Sequence, residues 1–339
     1  MSTELFSTAR ALVAEGKGIL AADESFPTIE KRFKSIDIES TEENRRAYRD
    51  MLFTTPGLEE AISGVILFDE TIRQSGANGA AFPDLLAAKG IIPGIKVDTG
   101  AKDLALFAGE KVTEGLDGLR GRLEEYVSLG AGFTKWRAVI TIGEGIPTGY
   151  CITANAHGLG RFAALSQEAG VVPIVEPEVL MDGDHSIERC YEVTNDMLTR
   201  LFAELEECHV DLSGTLLKTN MVLSGKNARD RAGVEEVAER TVKCLTEVVP
   251  TELPGIVFLS GGQSDEEATA HLNAMNKLGP HPWELSFSYG RALQAPALGA
   301  WKGDPANVEA GQKALYHRAK LNGAARSGSY SAEMENEAA

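Results

Sequence analysis

Cysteine is scarce in this chain of 339 residues, and its spacing excludes two classes of small protein. The four cysteines, Cys151, Cys190, Cys208 and Cys244, lie far apart and form no Cys-x-x-Cys pair. A disulfide-stapled secreted scaffold and a zinc clip both need closely spaced cysteines. The sequence therefore predicts a reduced chain, as is usual in the cytoplasm.

The chain also lacks an excess of basic residues and long apolar runs. Its 33 Lys and Arg stand against 50 Asp and Glu, which gives a net charge of −17. So acidic a surface repels nucleic acid and anionic lipid, and we expect neither as a partner. No apolar run approaches the ~18 residues of a membrane helix, and the start of the chain has no signal-peptide pattern. We therefore expect a cytoplasmic protein.

Metal-binding and dinucleotide-binding motifs are missing as well. The six histidines show no His-x-His or His-Glu-x-x-His spacing, and no Gly-x-Gly-x-x-Gly follows the first apolar run. Residues 182–185 are the one conceivable ligand cluster, but their turn-forming residues favour a loop. We expect no metal ion and no redox cofactor.

Strand-length apolar runs recur along the chain and alternate with segments of helical periodicity, such as 187–208 and 234–249. This alternation predicts an α/β protein with a (β/α)₈ TIM barrel, and a doubly wound open sheet is the alternative. We predict one barrel domain over residues 1–326 and a mobile tail over 327–339. The predicted strands are 18–22, 64–68, 92–97, 133–140, 171–175, 215–222, 255–259 and 284–289.

Ionisable residues lie in or just after five of these apolar runs. They are Asp23, Lys96, Lys135, Arg137, Glu176, Glu178 and Lys218. Any one of them alone is more typical of a solvated rim. Together, at strand ends that converge on one barrel mouth, they predict a shared cavity, because a buried charge needs a partner or a ligand. With Arg291 from the last strand, the set has a net charge of +2 and favours an anionic ligand.

Small residues in the last two units favour a phosphate. Ser260, Gly261 and Gly262 follow the seventh run, and Ser288, Gly290 and Arg291 end the eighth. The loops after strands seven and eight form a recurrent phosphate site in this fold.

Lys218 is the best candidate nucleophile, because its flanks are the most apolar. Desolvation and neighbouring cations disfavour an ammonium, and a free amine can attack a ketone to form an imine. Imine formation needs proton transfers that a carboxyl such as Glu176 can perform, and Asp23 could take a proton from a substrate hydroxyl. A buried ion pair of Lys218 with a glutamate, without chemistry, remains the alternative at this point.

Seven ordered segments resemble the class I fructose-bisphosphate aldolases, and the resemblance covers about residues 5 to 325. The segments are 18–25, 94–98, 135–137, 175–178, 214–218, 258–264 and 287–293. The resemblance implies reversible cleavage of fructose 1,6-bisphosphate to dihydroxyacetone phosphate and glyceraldehyde 3-phosphate through a lysine Schiff base. It also implies sugar-phosphate ligands and a homotetramer. An imine-forming lyase for another sugar phosphate and a non-catalytic sugar-phosphate-binding barrel are the alternatives.

The resemblance also implies roles for individual residues. Lys218 is then the Schiff-base lysine, Glu176 the main acid/base residue and Asp23 the group that handles the C4 hydroxyl, while Lys135 and Glu178 position the carbinolamine. The implied C1-phosphate residues are Arg32, Ser260, Gly261, Gly262, Ser288, Gly290 and Arg291. The implied far-phosphate residues are Ser25, Thr28, Lys96 and Arg137.

The sequence departs from the animal members of that family at three places. Phe26 and Pro27 replace a Thr-Gly pair and stiffen the loop beside the far phosphate. Thr219 follows the lysine where animal members have proline, a change that should spare the nucleophile. The chain lacks the terminal tyrosine that animal members use in proton transfer at C3, so another group serves there or that step is slower.

Overall fold

The structure, a computed structural model, describes residues 2–336. Its strands are β1 (Gly18–Ala21), β2 (Ile62–Leu67), β3 (Ile92–Lys96), β4 (Gly100–Asp103), β5 (Lys111–Glu114), β6 (Phe133–Ile140), β7 (Val172–Val179), β8 (Leu216–Thr219), β9 (Gly255–Phe258) and β10 (Glu284–Tyr289). Its helices are α1 (Ser2–Leu12), α2 (Phe26–Lys34), α3 (Glu42–Phe53), α4 (Asp69–Ile72), α5 (Phe82–Ala88), α6 (Leu119–Ser128), α7 (Gly149–Glu168), α8 (Ile187–Glu207), α9 (Val234–Val248), α10 (Asp265–Lys277), α11 (Arg291–Trp301) and α12 (Val308–Arg326).

Eight parallel strands close into a barrel in the order β1-β10-β9-β8-β7-β6-β3-β2. The predicted TIM barrel is therefore confirmed, and the open sheet is excluded by the pairing of β1 with β10. The remaining strands, β4 and β5, form an antiparallel hairpin in the connection between β3 and β6. No apolar run marked this hairpin, because five of its eight residues are polar.

The barrel interior is apolar at its lower end. Inward side chains of six strands pack together with Leu5, Ala9, Leu12 and Val13, so that α1 covers the end of the barrel at which the strands begin. A second, larger cluster fills the layer between the outer faces of the strands and the surrounding helices. Both clusters are what buried parallel strands require, since each strand is covered on two faces.

Side-chain alternation along the strands separates this apolar floor from the polar mouth. Residues two apart point to the same face of a strand. Moving up the barrel, an apolar interior residue is followed by a charged one in four strand units: Ala21 and Asp23, Phe133 and Lys135, Ile174 and Glu176, Leu216 and Lys218.

Strand β7 is longer than predicted, and it contains Pro173 and Pro177. Proline cannot donate a ladder hydrogen bond, so an interior strand is an unusual place for it. The pairing of β7 with β8 covers only Ile174 and Val175, whereas β6 pairs along the whole of β7. Pro177 is therefore tolerated, because β7 and β8 are no longer paired at its position and no ladder hydrogen bond to β8 is lost there.

The chain continues past α12 into a short 3₁₀ helix, Ala332–Asn336. Both carboxylate oxygens of Glu335 accept from Arg318, at 2.6 and 2.7 Å, and the Tyr330 N–H donates to Asn273 over 3.0 Å. Residues 337–339 of the tail lie outside the described residues. The mobility of 327–339 stays a prediction.

Candidate active site

A cavity of about 600 Å³ opens at the end of the barrel where the strands finish. Six basic and five acidic side chains line it, together with serines, a threonine and glycines. The charges therefore balance to within one unit, although the whole chain carries −17. Net charge describes the outer surface of this protein and not the cavity.

All but one of the residues singled out by the sequence line this cavity. They are Asp23, Ser25, Thr28, Arg32, Lys96, Lys135, Arg137, Glu176, Glu178, Lys218, Ser260, Gly261, Ser288, Gly290 and Arg291. Gly262 is the exception; it adopts a left-handed φ of 77°, and a Cβ there would meet Met181 at 2.5 Å.

A chain of four ionisable groups, three of them buried, occupies the floor of the cavity. Lys135 Nζ lies 2.6 Å from Asp23 Oδ2 and 3.0 Å from Glu176 Oε2. Lys218 Nζ lies 3.0 Å from the other oxygen, Oε1, of Glu176. The lysine and glutamate side chains are at most 5% exposed. Glu176 thus bridges two ammonium groups, and Asp23 reaches the same network through Lys135.

The pairing outweighs the cost of burial for three of these groups. Burial alone would raise the pKa of the Asp23 and Glu176 carboxyls, but the ammonium groups of Lys135 and Lys218 lower both values. Burial alone would lower the pKa of Lys135, but Asp23 and Glu176 raise it. Both carboxyls are therefore ionised at neutral pH, and Lys135 is a fixed cation.

Lys218 lies beside Glu176, the carboxyl that the sequence analysis names for the proton transfers. Leu216 and Leu217 precede Lys218 in β8, and its Nζ meets the Glu176 carboxylate of β7 at 3.0 Å. The local pattern around Lys218 could not fix this contact, because the two residues are 42 positions apart in the chain. An adjacent carboxylate is able to accept the proton that an attacking amine must lose.

One side of the mouth presents hydroxyls, glycines and guanidinium groups. Ser288 Oγ is buried and has no hydrogen-bond partner within residues 2–336. Arg291 donates to the backbone oxygens of Ser260 and Gln263 and lies 3.2 Å from Asp265. A buried hydroxyl without a partner costs free energy unless a ligand satisfies it. This side of the cavity is therefore prepared for a ligand with hydrogen-bond acceptors, such as a phosphate.

A second set of polar residues lines the cavity at the start of α2 and at β3 and β6. Ser25 is the N-cap of α2, but its side chain makes no capping bond, and its Oγ lies 3.4 Å from Thr28 Oγ1. Lys96 Nζ lies 3.2 Å from Asp98, and Arg137 donates through Nε to Glu178. No acidic residue lies in the first turn of α2. Hydroxyls and cations near a helix N-terminus suit a second anion.

Sequence reasoning missed two carboxylates, Glu24 and Asp98. Glu24 is buried, pairs with Arg32 and with Arg49 at 2.6 Å, and accepts from Gln294 Nε2 at 2.8 Å. Asp98 accepts from the Arg137 N–H at 3.1 Å. Asp98 could have been found from its place two residues after Lys96, whereas Glu24 is adjacent to Asp23 and had no distinguishing pattern.

Within residues 2–336, no three His, Cys, Asp or Glu side chains are grouped so that they could hold a metal ion. Over the same span, no helix combines the length and the apolar character that crossing a membrane requires.

Comparison with known proteins gives consistent results. Residues 4–339 match the family model for fructose-bisphosphate aldolase class I. A probable fructose-bisphosphate aldolase class 1 of Xanthomonas campestris pv. campestris is 62% identical over 96% of this chain and 98% of its own. The cytosolic fructose-bisphosphate aldolase 4 of Arabidopsis thaliana is 51% identical over 98% of this chain and 85% of its own.

A solved structure is also very similar. It is the Plasmodium falciparum fructose-bisphosphate aldolase in complex with TRAP and a small-molecule inhibitor. The TM-score is 0.96 at 50% identity, with 97% of this chain and 96% of that chain covered.

Proposed function

The chain belongs to the class I fructose-bisphosphate aldolase family, and we propose that Lys218 is the amine through which it works. It is a metal-independent aldehyde-lyase of glycolysis. It cleaves fructose 1,6-bisphosphate reversibly to dihydroxyacetone phosphate and glyceraldehyde 3-phosphate through a lysine Schiff base. The observation that carries the assignment of Lys218 is its contact with Glu176 on the cavity floor, at 3.0 Å.

Two buried lysines compete for the role, and their partners favour Lys218. Lys135 is held between Asp23 and Glu176, and these two carboxylates raise its pKa. An ammonium so stabilised is a poor nucleophile, because attack requires the free amine. Among the ion pairs of residues 2–336, Lys218 has Glu176 alone. Losing its proton therefore breaks one ion pair rather than two.

Glu176 supplies the proton transfers of imine formation. It accepts the proton that leaves the Lys218 ammonium. The amine then attacks C2 of the ketose, a C–N bond forms as the C=O π electrons move to the oxygen, and a proton moves from the nitrogen to that oxygen. The resulting carbinolamine is neutral, so one of the cations that lower the pKa of Glu176 is gone and this pKa rises. Glu176 therefore holds its proton until it gives it to the departing hydroxyl, which leaves as water, and an iminium remains on Lys218.

We assign the cleavage step to Asp23. In the iminium, the C3–C4 bonding electrons move toward C2 as Asp23 takes the proton of the C4 hydroxyl. The C3–C4 bond breaks, the aldehyde leaves, and an enamine remains on Lys218. Lys135 forms ion pairs with both Asp23 and Glu176. In our proposal, Lys135 and Glu178 position the charged groups around the carbinolamine during these steps. Protonation at C3 and hydrolysis of the imine release dihydroxyacetone phosphate.

We assign the two phosphates of fructose 1,6-bisphosphate to the two sets of polar residues at the mouth. We assign the C1 phosphate to the side with the unpaired Ser288 hydroxyl, where Arg32 and Arg291 also lie. Ser260, Gly261 and Gly290 line the same cavity, and Gly262 belongs to the loop that carries Ser260 and Gly261. We assign the C6 phosphate to Ser25, Thr28, Lys96 and Arg137, which also line the cavity.

Borohydride trapping tests the assignment of Lys218. The protein is incubated with dihydroxyacetone phosphate, reduced with borohydride and digested, and the peptides are analysed by mass spectrometry. We expect one reduced adduct, on the peptide that contains Lys218. An adduct on Lys135 or another lysine would refute the assignment. A parallel assay in EDTA should show unchanged activity, since the mechanism uses no metal.

We also propose that the protein is a cytoplasmic homotetramer. Leu106 is fully exposed, and Phe107 stacks at 4.9 Å on Tyr150, whose side chain is 58% exposed. An exposed apolar patch of this kind is typical of a surface that packs against another protein. The cytosolic name of the Arabidopsis relative and the four free cysteines support the compartment.

Light scattering of the purified protein tests the oligomer. We expect a mass four times the 36.3 kDa of the chain. Leu106→Glu should lower that mass, because it places a charge in the proposed contact. A wild-type mass of one chain would contradict the proposal.

A further inference from the structure

The hydroxyl pair on the C6-phosphate side depends on the conformation of a short loop. Ser25 and Thr28 both line the cavity, and they flank Phe26 and Pro27. The loop backbone sets where the two hydroxyls lie, and ordering a loose loop when a ligand binds costs affinity. What holds this loop therefore matters for the phosphate.

Backbone amides offer little help at this helix start. Pro27 has no N–H, and the N–H groups of Thr28 and Ile29 already donate to the Ser25 carbonyl, at 2.9 and 3.0 Å. The first turn of α2 therefore presents fewer free donors than a helix N-terminus usually does. A phosphate here relies on the two hydroxyls and the nearby cations.

Phe26 ties this loop to two other elements, although nearly half of its surface is exposed. Its ring meets Phe68, at the end of β2, edge to face with centroids 5.3 Å apart. The guanidinium of Arg45, from α3, lies 4.8 Å from the centroid of the Phe26 ring. Both contacts are attractive geometries for an aromatic ring.

The cation on that ring is itself fixed. Arg45 donates to both carboxylate oxygens of Glu70, at 2.7 and 2.6 Å, and to the Ser40 carbonyl at 2.5 Å. Its side chain is only 15% exposed. Phe26 therefore holds the start of α2 against Phe68 and Arg45, although Phe26 does not itself line the cavity. We call the contacts of Phe26 with these two residues the clamp.

We propose that Phe26 is a positioning residue for the C6 phosphate. Through its contacts with Phe68 and Arg45, it fixes the loop that carries the Ser25 and Thr28 hydroxyls. The inference rests on the proposed function, since it needs the C6 phosphate on this side of the cavity. The proposal predicts different effects on two substrates. Binding of fructose 1,6-bisphosphate depends on the clamp, whereas binding of fructose 1-phosphate does not, because that sugar has no C6 phosphate.

Steady-state kinetics on both substrates tests the clamp. For Phe26→Ala we expect KM for fructose 1,6-bisphosphate to rise about tenfold, from the loss of two aromatic contacts and the ordering they provide. We expect kcat/KM for fructose 1-phosphate to stay within about twofold, the scatter of a neutral surface change. Phe26→Tyr keeps the ring and should restore the KM. Phe68→Ala should raise the KM in the same direction.

Phe6→Ala is the matched control. Phe6 is also a partly exposed phenylalanine, with Arg10 5.1 Å from its ring centroid, but it lies on α1 at the other end of the barrel. This variant should leave both substrates unaffected. Thermal melting of every variant separates a kinetic effect from a loss of fold.

The outcomes separate the clamp from the function on which it rests. If the wild type prefers the bisphosphate and Ser25→Ala weakens that preference while Phe26→Ala does not, the clamp is refuted and the phosphate assignment stands. If the wild type shows no preference, or Ser25→Ala changes nothing, the C6-phosphate assignment fails first. An equal loss on both substrates in Phe26→Ala would mean a general structural role and would also refute the clamp.

Discussion

Lys218→Met should lower kcat/KM for fructose 1,6-bisphosphate by about 10⁵-fold, the order seen when a covalent nucleophile is removed. Methionine fills much of the space of lysine but has no amine, so no C–N bond to the substrate can form. Glu176 keeps its second cation, Lys135 at 3.0 Å, and the site is not left with an unpaired carboxylate. A coupled assay of triose phosphate release measures the loss, and borohydride should trap no adduct.

Two further variants distinguish the amine from its charge. Lys218→Arg retains a cation beside Glu176 but cannot form an imine, so it should be as inactive as the methionine variant. Lys135→Met is the matched control, because Lys135 is equally buried and contacts the same glutamate. It should be slower than the wild type and still form an adduct on Lys218. Adduct formation that survives in Lys218→Met and disappears in Lys135→Met would reverse the two roles.

Glu176→Gln should lower kcat by about 10³-fold, within the range for loss of a general acid and base. Glutamine has the size of glutamate but neither accepts nor returns the proton in imine formation. The defect should therefore lie before C–C cleavage. Rapid-quench measurement with borohydride should show adduct accumulating far more slowly than in the wild type. A variant that forms the imine at the normal rate would assign the proton transfers to another group.

The same substitution affects stability, and its sign follows from the pKa shift. The ammonium groups lower the pKa of Glu176 in the folded protein. The ionised carboxylate therefore stabilises the fold at pH values above the pKa of glutamate in the unfolded chain, which is about 4. This stabilisation is lost as the pH falls from that value through the lower pKa of the folded protein. Removing one partner of a buried ion pair costs about 3–5 kcal/mol. Glu176→Gln should thus melt earlier at pH 7, and kinetics must be measured well below its melting temperature.

Glu178→Gln provides the matched control for Glu176. The two residues lie on the same face of β7, and Glu178 pairs with Arg137 rather than with Lys218. It should lower kcat less, by about tenfold, because it positions charge and transfers no proton in the proposed sequence. Equal losses in the two variants would contradict the distinct role of Glu176.

Much of the barrel could be predicted because its signals are local. A buried parallel strand needs an apolar run, and each run that was predicted corresponds to a barrel strand. Side-chain alternation is equally local, so Lys135 and Arg137 had to share a face wherever β6 lay. The hairpin of β4 and β5 escaped prediction because exposed polar strands have no such pattern.

The sequence predicted which residues line the candidate site, but not which of them contact one another. Charged residues at the ends of apolar runs identified the cavity lining, whereas Glu24 and its arginine partners carried no distinguishing pattern. The ion pair of Lys218 with Glu176 was only one of two alternatives before the fold was known. The clamp of Phe26 on Phe68 and Arg45 had no sequence signal, since these three residues belong to separate elements.

The sequence by itself determined the alternation of strands and helices, the net acidic charge and the ionisable residues at the strand ends, because each follows from composition or from the periodicity of an element. Tertiary structure alone decided that the sheet closes into a barrel and which groups meet. Asp23 and Lys135 are 112 residues apart in the chain and 2.6 Å apart in space. Closure of the barrel brings them together, and electrostatic interactions depend on that distance and on burial rather than on position along the chain.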